Sequence, residues 1–148
     1  MLRPVWDLNL SQEQRLIYMT DTGYVSSKNA NYMVDADYYI IESNHDVEML
    51  MNTNRPMSLK NRILSDKGHL SNLDSALLMS RLLGAHTKEI VLAHLSREAN
   101  TSELALQTYY DVFKENHVNL GKCQIKVASQ VDVVSGGELN ENQGVVCR

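Results

Sequence analysis

At 148 residues, with 43% hydrophobic and 22% charged side chains, the chain is sized for one domain with a real core. Its formal net charge of −4 excludes a strongly basic nucleic-acid binder. It still allows a site that grips phosphates locally through metal ions and a few basic groups. No apolar run approaches the roughly 18 residues of a membrane span, and Met1 to Asp7 lack the apolar core of a secretory signal. Cys123 and Cys147 have no CxxC spacing and fit free thiols in a reducing compartment, so a cytoplasmic protein with no membrane partner is expected.

Along the chain, Val5, Trp6 and Leu8 precede a polar Ser11-Gln12-Glu13-Gln14 and a strand-like Arg15 to Thr20, which together suggest a hairpin. The second strand ends at Asp21-Thr22-Gly23, which is either an ordinary turn or an acid aimed at a ligand. A short helix is expected over 26–35, and Tyr38 to Ile41 form a buried strand that runs into the polar Glu42-Ser43-Asn44-His45-Asp46. Another helical turn or two follows over 47–51, then a loop punctuated by asparagine and Pro56, then a mildly basic stretch with Lys60, Arg62 and Lys67. Ser71-Asn72-Leu73-Asp74 resembles a capping box, so a helix should start at Asn72 and stop before Gly84.

Ile90-Val91-Leu92-Ala93 reads as a short, fully buried strand. It ends on His94, where α/β sheets place their chemistry, although a lone histidine there can equally be an ordinary strand-edge residue. A helix from about Thr101 to Asn116 and a last strand over 124–128 complete the order ββαβαααβαβ, an α/β fold. The strands around Ile17, Ile40 and Val91 should share one sheet, covered by helices over 72–83 and 101–115. Residues 131–148 are poor in apolar side chains and read as a flexible tail.

The polar clusters all follow strands: Asp21, Glu42 with His45, and His94. His69 instead precedes a helix N-terminus, where backbone N–H groups favour anions. Carboxylate and imidazole at adjacent strand ends form a metal-ligand set, and one carboxylate can bridge two cations roughly 3.5–4 Å apart.

Four stretches, Ile17 to Val25, Ile40 to Leu50, Arg62 to Asn72 and Leu92 to Ser96, resemble the metallo-β-lactamase-fold hydrolases in order and spacing. Within them the resemblance is to the YycJ or WalJ branch, related to the tRNA 3′-processing nucleases, over about residues 16–128. It implies a metal-dependent phosphodiesterase, a nuclease acting on DNA or RNA, with two divalent ions (zinc or manganese) in the complete site. Asp21 matches the family's metal-bridging carboxylate and His94 its last ligand histidine. His69 matches the histidine that protonates the leaving group, and Glu42 the acid that orients it. His45 receives no role.

The family's His-x-His-x-Asp-His run is missing, and no two of the five histidines lie closer than eight residues apart. The resemblance therefore implies the C-terminal half of an αββα sandwich: a partial domain over 1–130 with one sheet face uncovered and open to self-association. It also leaves open a truncated, non-catalytic module that acts through a protein partner.

Overall fold

The computed structural model describes residues 13–128 and, as backbone, 6–10; the tail expected over 131–148 and Cys147 lie outside the described residues. In chain order the elements are β1 (Trp6–Leu10), β2 (Gln14–Met19), α1 (Ser27–Met33), β3 (Tyr38–Glu42) and α2 (Val47–Asn52). Then come α3 (Met57–Ile63), α4 (Asn72–Leu82), β4 (Glu89–Ala93), α5 (Ser102–Glu115) and β5 (Gln124–Val127). This is the order read from the sequence.

All five strands lie in one sheet in the order β1-β2-β3-β4-β5. β1 and β2 form an antiparallel hairpin, and the other pairs are parallel. Tyr18, Ile40 and Val91 stand side by side in register, so the three expected strands are immediate neighbours. Successive side chains of a strand point to opposite faces. One face carries Ile17, Met19, Tyr39, Ile41, Ile90 and Leu92, all buried and in one cluster with residues of α1, α4 and α5.

The helices have the spacing this needs. In α4, Ala76, Met79 and Leu82 fall on one side; in α5, Ala105, Tyr109, Val112 and Phe113 do. Both begin on a side-chain cap, Ser71 accepting from the Asp74 N–H and Thr101 from the Leu104 N–H. Each fully buried aliphatic side chain contributes about 1.5–3 kcal/mol, which pins the register, since a one-residue slip would turn this set outward.

The other face is different. Leu16, Tyr18, Ile40 and Val91 belong to no core cluster among the described residues; Tyr18 is 42% exposed and the rest are half-buried. A second, small cluster of Leu50, Ile63 and Ala99 joins α2 and α3 to the loop after β4. There Lys60 is buried, and its ammonium donates to the Met51 and Thr53 carbonyls at the open end of α2.

Candidate metal centre

The C-terminal ends of three adjacent parallel strands meet at one edge of the sheet. Asp21 lies two residues past β2, Glu42 is the last residue of β3, and His94 is the first past β4. His69 joins them from the loop between α3 and α4. Asp21 and His94 both adopt φ of 59°, the left-handed region that non-glycine residues seldom occupy. That backbone turns each side chain off its strand, toward the shared edge.

Glu42 is the hub. Its carboxylate is fully buried, and Oε1 accepts hydrogen bonds from Nδ1 of His69 at 2.8 Å and Nδ1 of His94 at 2.6 Å. Oε2 accepts from the Thr22 N–H at 3.2 Å and the Leu70 N–H at 3.3 Å. Burial alone would raise the pKa of this acid. The His69 and His94 hydrogen bonds outweigh that and hold it below the usual carboxylate range. With each Nδ1 proton directed at Glu42, Nε2 of each ring is the nitrogen left with a lone pair.

Asp21 Oδ1 lies 4.0 Å from Nδ1 of both histidines, and the two rings sit 5.3 Å apart between centroids. Asp21, His69 and His94 each offer a ligand atom, all within 4.8 Å of one another. One carboxylate oxygen with two imidazole nitrogens is a donor set that fits a divalent metal ion. All four site residues named from the sequence are thus in one place, with His69 as close to Asp21 as His94 is.

Tight loop packing makes this possible. The Thr22-Gly23 turn is held against the end of the α3 loop by a Gly23 N–H to Asp66 carbonyl bond of 3.2 Å. A Cβ at position 23 would lie 2.0 Å from the Ser65 carbonyl oxygen, so only glycine fits.

Beneath the site is a buried polar network that residue spacing barely signals. Ser43 Oγ donates to Asn72 Oδ1, Asn100 Nδ2 bonds Asn72 Oδ1 and the Ser43 carbonyl, and Asn72 Nδ2 donates to Asn100 Oδ1. Ser75 Oγ bonds the Glu42 carbonyl at 2.5 Å and the Tyr109 hydroxyl at 2.6 Å. These groups tie the end of β3 to the first turn of α4, to the residue before the α5 cap and to the middle of α5. Asn72 reads in the sequence as a helix-start residue and Asn100 immediately precedes the next helix, and their mutual bonding is purely tertiary.

His45 is not a member of the cluster. It is buried, and its Nε2 has no hydrogen-bond partner. Burial lowers its pKa, and the neighbouring His69 pushes it the same way. The unfolded chain therefore takes up this proton first, and stability is lost as pH falls from about 6.5 toward the folded value. The His86 pair with Asp35 has the opposite sign, since its raised pKa gives stability that is complete below the unfolded value. That pair is exposed and screened by solvent, so the buried group should dominate. Urea midpoints measured from pH 7.5 to 5 should fall for the wild type, and His45→Asn should flatten that slope. An unchanged slope in a folded variant would assign the acid sensitivity elsewhere.

This architecture has a counterpart among solved proteins. The chain aligns with the metallo-β-lactamase fold protein YhfI of Bacillus subtilis at a TM-score of 0.51 and 17% identity, covering 78% of this chain and 37% of that one. The sheet and helices are those of part of a metallo-β-lactamase fold.

In sequence, 112 residues are 46% identical to exodeoxyribonuclease WalJ of Streptococcus pneumoniae and 43% identical to exodeoxyribonuclease YycJ of Bacillus anthracis. Each match covers 76% of this chain and 42% of the relative. The matched residues fit the WalJ and YycJ branch of the fold, and the match spans less than half the length of those relatives. No family model matches the chain. No helix among the described residues is long and apolar enough to cross a membrane.

Proposed function

We propose that these residues form part of the site of a metal-dependent phosphodiesterase that cleaves DNA. The observation that carries this is the convergence of Asp21, His69 and His94 around the buried Glu42. The relatives' names, exodeoxyribonuclease in each case, point to DNA as the substrate. In this reading Asp21 and His94 hold divalent ions, zinc or manganese, two in the complete site. Such ions, when bound, polarise the phosphoryl group toward attack by water. Glu42 fixes the tilt of His69 through Nδ1, which leaves Nε2 to face the scissile phosphate; Nε2 must first take up a proton, and the resulting imidazolium, held by the Glu42 carboxylate, passes it to the leaving oxygen. A two-ion centre needs more donors than these residues supply. The chain alone is therefore expected to bind ions weakly and to show no robust cleavage.

The test is a chimera in which the matching 112 residues of the pneumococcal relative are replaced by those of this chain. Labelled single-stranded DNA should be degraded with Mn²⁺ or Zn²⁺ and left intact with a chelator. A folded, metal-loaded chimera that leaves DNA intact would overturn the reading.

The open face of Leu16, Tyr18, Ile40 and Val91 favours a second reading, a module that works through another protein surface. Exposed apolar patches of this kind drive association. Sedimentation of the chain should then depend on concentration, and Tyr18→Ser should weaken that dependence. A concentration-independent monomer would remove this reading.

A further inference from the structure

Every polar group of Asn44 is engaged. Its N–H donates to the Leu70 carbonyl at 2.9 Å, and its own carbonyl accepts from the Ser96 N–H at 2.7 Å. Its side-chain Nδ2 donates to the His94 carbonyl at 2.8 Å, and Oδ1 faces His45 Nδ1 at 3.3 Å. One residue therefore grips the loop next to His69 and both sides of the turn that carries His94. The bond to the His94 carbonyl is the informative one, because that carbonyl belongs to a residue at φ 59°. A left-handed histidine is unfavourable by itself and persists only where its surroundings hold it.

The Asn44 amide settles the tautomer of His45. Since Nδ2 is committed to the His94 carbonyl, Oδ1 must accept from His45, so the proton of the neutral ring sits on Nδ1. That leaves Nε2 as a bare acceptor, which is the buried atom without a partner. A buried empty acceptor is better tolerated than a buried orphan donor. The isolated bridge between His45 and Ser71 and the Asn72 N–H to His45 carbonyl bond of 2.8 Å fix the ring's backbone to the start of α4. The whole lever is thus anchored in the fold's core.

We infer that Asn44 is a positioning residue: with His45 behind it, it locks the left-handed backbone of His94 and so aims that imidazole into the candidate metal centre. The inference rests on the functional reading only for the purpose of the aim; the lock itself is a property of the chain without metal.

Backbone NMR of the whole chain tests it. In the wild type, His94 should show the chemical shifts and coupling of a positive φ, and the Asn44 side-chain amide should exchange slowly. Asn44→Ala and Asn44→Asp should both move His94 out of that range, since aspartate keeps the size and cannot donate to the carbonyl. Asp35, at φ 55° in another loop, should stay unchanged. Zn²⁺ titration followed at His94 should give an affinity about 10–100-fold weaker in both variants. A folded Asn44→Ala chain with wild-type His94 shifts and Zn²⁺ affinity would overturn the inference. Should the variants fail to fold, rapid solvent exchange of the wild-type Asn44 amide would overturn it, and protection would support it. A wild-type chain that binds no Zn²⁺ would instead count against the functional reading, while the His94 shifts still decide the lock.

Discussion

In the chimera that carries this chain's residues, Asp21→Ala is expected to abolish metal-dependent cleavage, and His69→Ala to lower turnover roughly 10²–10⁴-fold with metal retained. The contrast follows from what each side chain is assigned to do. Asp21 supplies the carboxylate of the donor set and is the acid placed equally close to both imidazoles. Its removal leaves nitrogen donors only in that set, with no anionic ligand directly on the ions. A proton donor holds no ion, so its loss slows the breaking of the phosphorus–oxygen bond and leaves metal content intact. Metal analysis beside initial rates separates the two. If His69→Ala empties the site as Asp21→Ala does, His69 is a ligand, which its place in the same three-residue cluster would allow, and the acid must be sought elsewhere.

Gly68→Ala is expected to damage both fold and site. A Cβ there would lie 2.1 Å from the Ile63 carbonyl oxygen and 2.4 Å from that of Arg62, both backbone atoms that cannot swing aside. The Ile63 carbonyl also accepts the His69 N–H at 2.9 Å, so the backbone that must shift is the backbone that seats His69. Overpacking of this kind costs about 1–3 kcal/mol. A displacement of about 1 Å at a reacting group can cost on the order of 10²-fold in rate. Urea denaturation and chimera cleavage should both register the change. Gly121→Ala is the comparison, since nothing lies within 4 Å of a Cβ there and only its φ of 54° resists. Gly68 has no such φ, so an effect there no larger than at 121 would mean that the loop yields to the added Cβ and the close approach does not set the cost.

The element order was legible because each strand is a short apolar run and each long helix opens on a hydroxyl cap. Ile90 to Ala93 read plainly as a strand, although Val91 proves half-buried on the open face rather than fully buried, and Ser71 and Thr101 mark their helices plainly. Asp21, Glu42, His69 and His94 could be named because each ends or follows a strand, or precedes a helix, within a recognisable motif. Their mutual geometry could not. The sequence pairs Glu42 with His69 alone, whereas the buried carboxylate holds His69 and His94 with one oxygen. That depends on β3 lying between β2 and β4 and on the left-handed turn at His94, and neither leaves a trace in local residue spacing. The same holds for Ser43, Asn72 and Asn100, polar residues whose partners are up to 57 positions away. The open face was expected from the missing motif, and the strand alternation then fixed which side chains line it.

The left-handed turns at Asp21 and His94 set robustness against chemistry. Each non-glycine residue in that conformation costs roughly 1–2 kcal/mol that a glycine would not. Glycine at Asp21 would relieve that cost, whereas at His94 it would also strip a hydrogen bond from the buried Glu42 carboxylate, and either change loses a candidate metal donor. Screening variants of this chain for heat resistance alone would therefore favour a glycine at Asp21 that disarms the site, a conflict common where a site is held in a strained shape. Stabilising substitutions belong on the far ends of α4 and α5, away from the edge where the three strands finish.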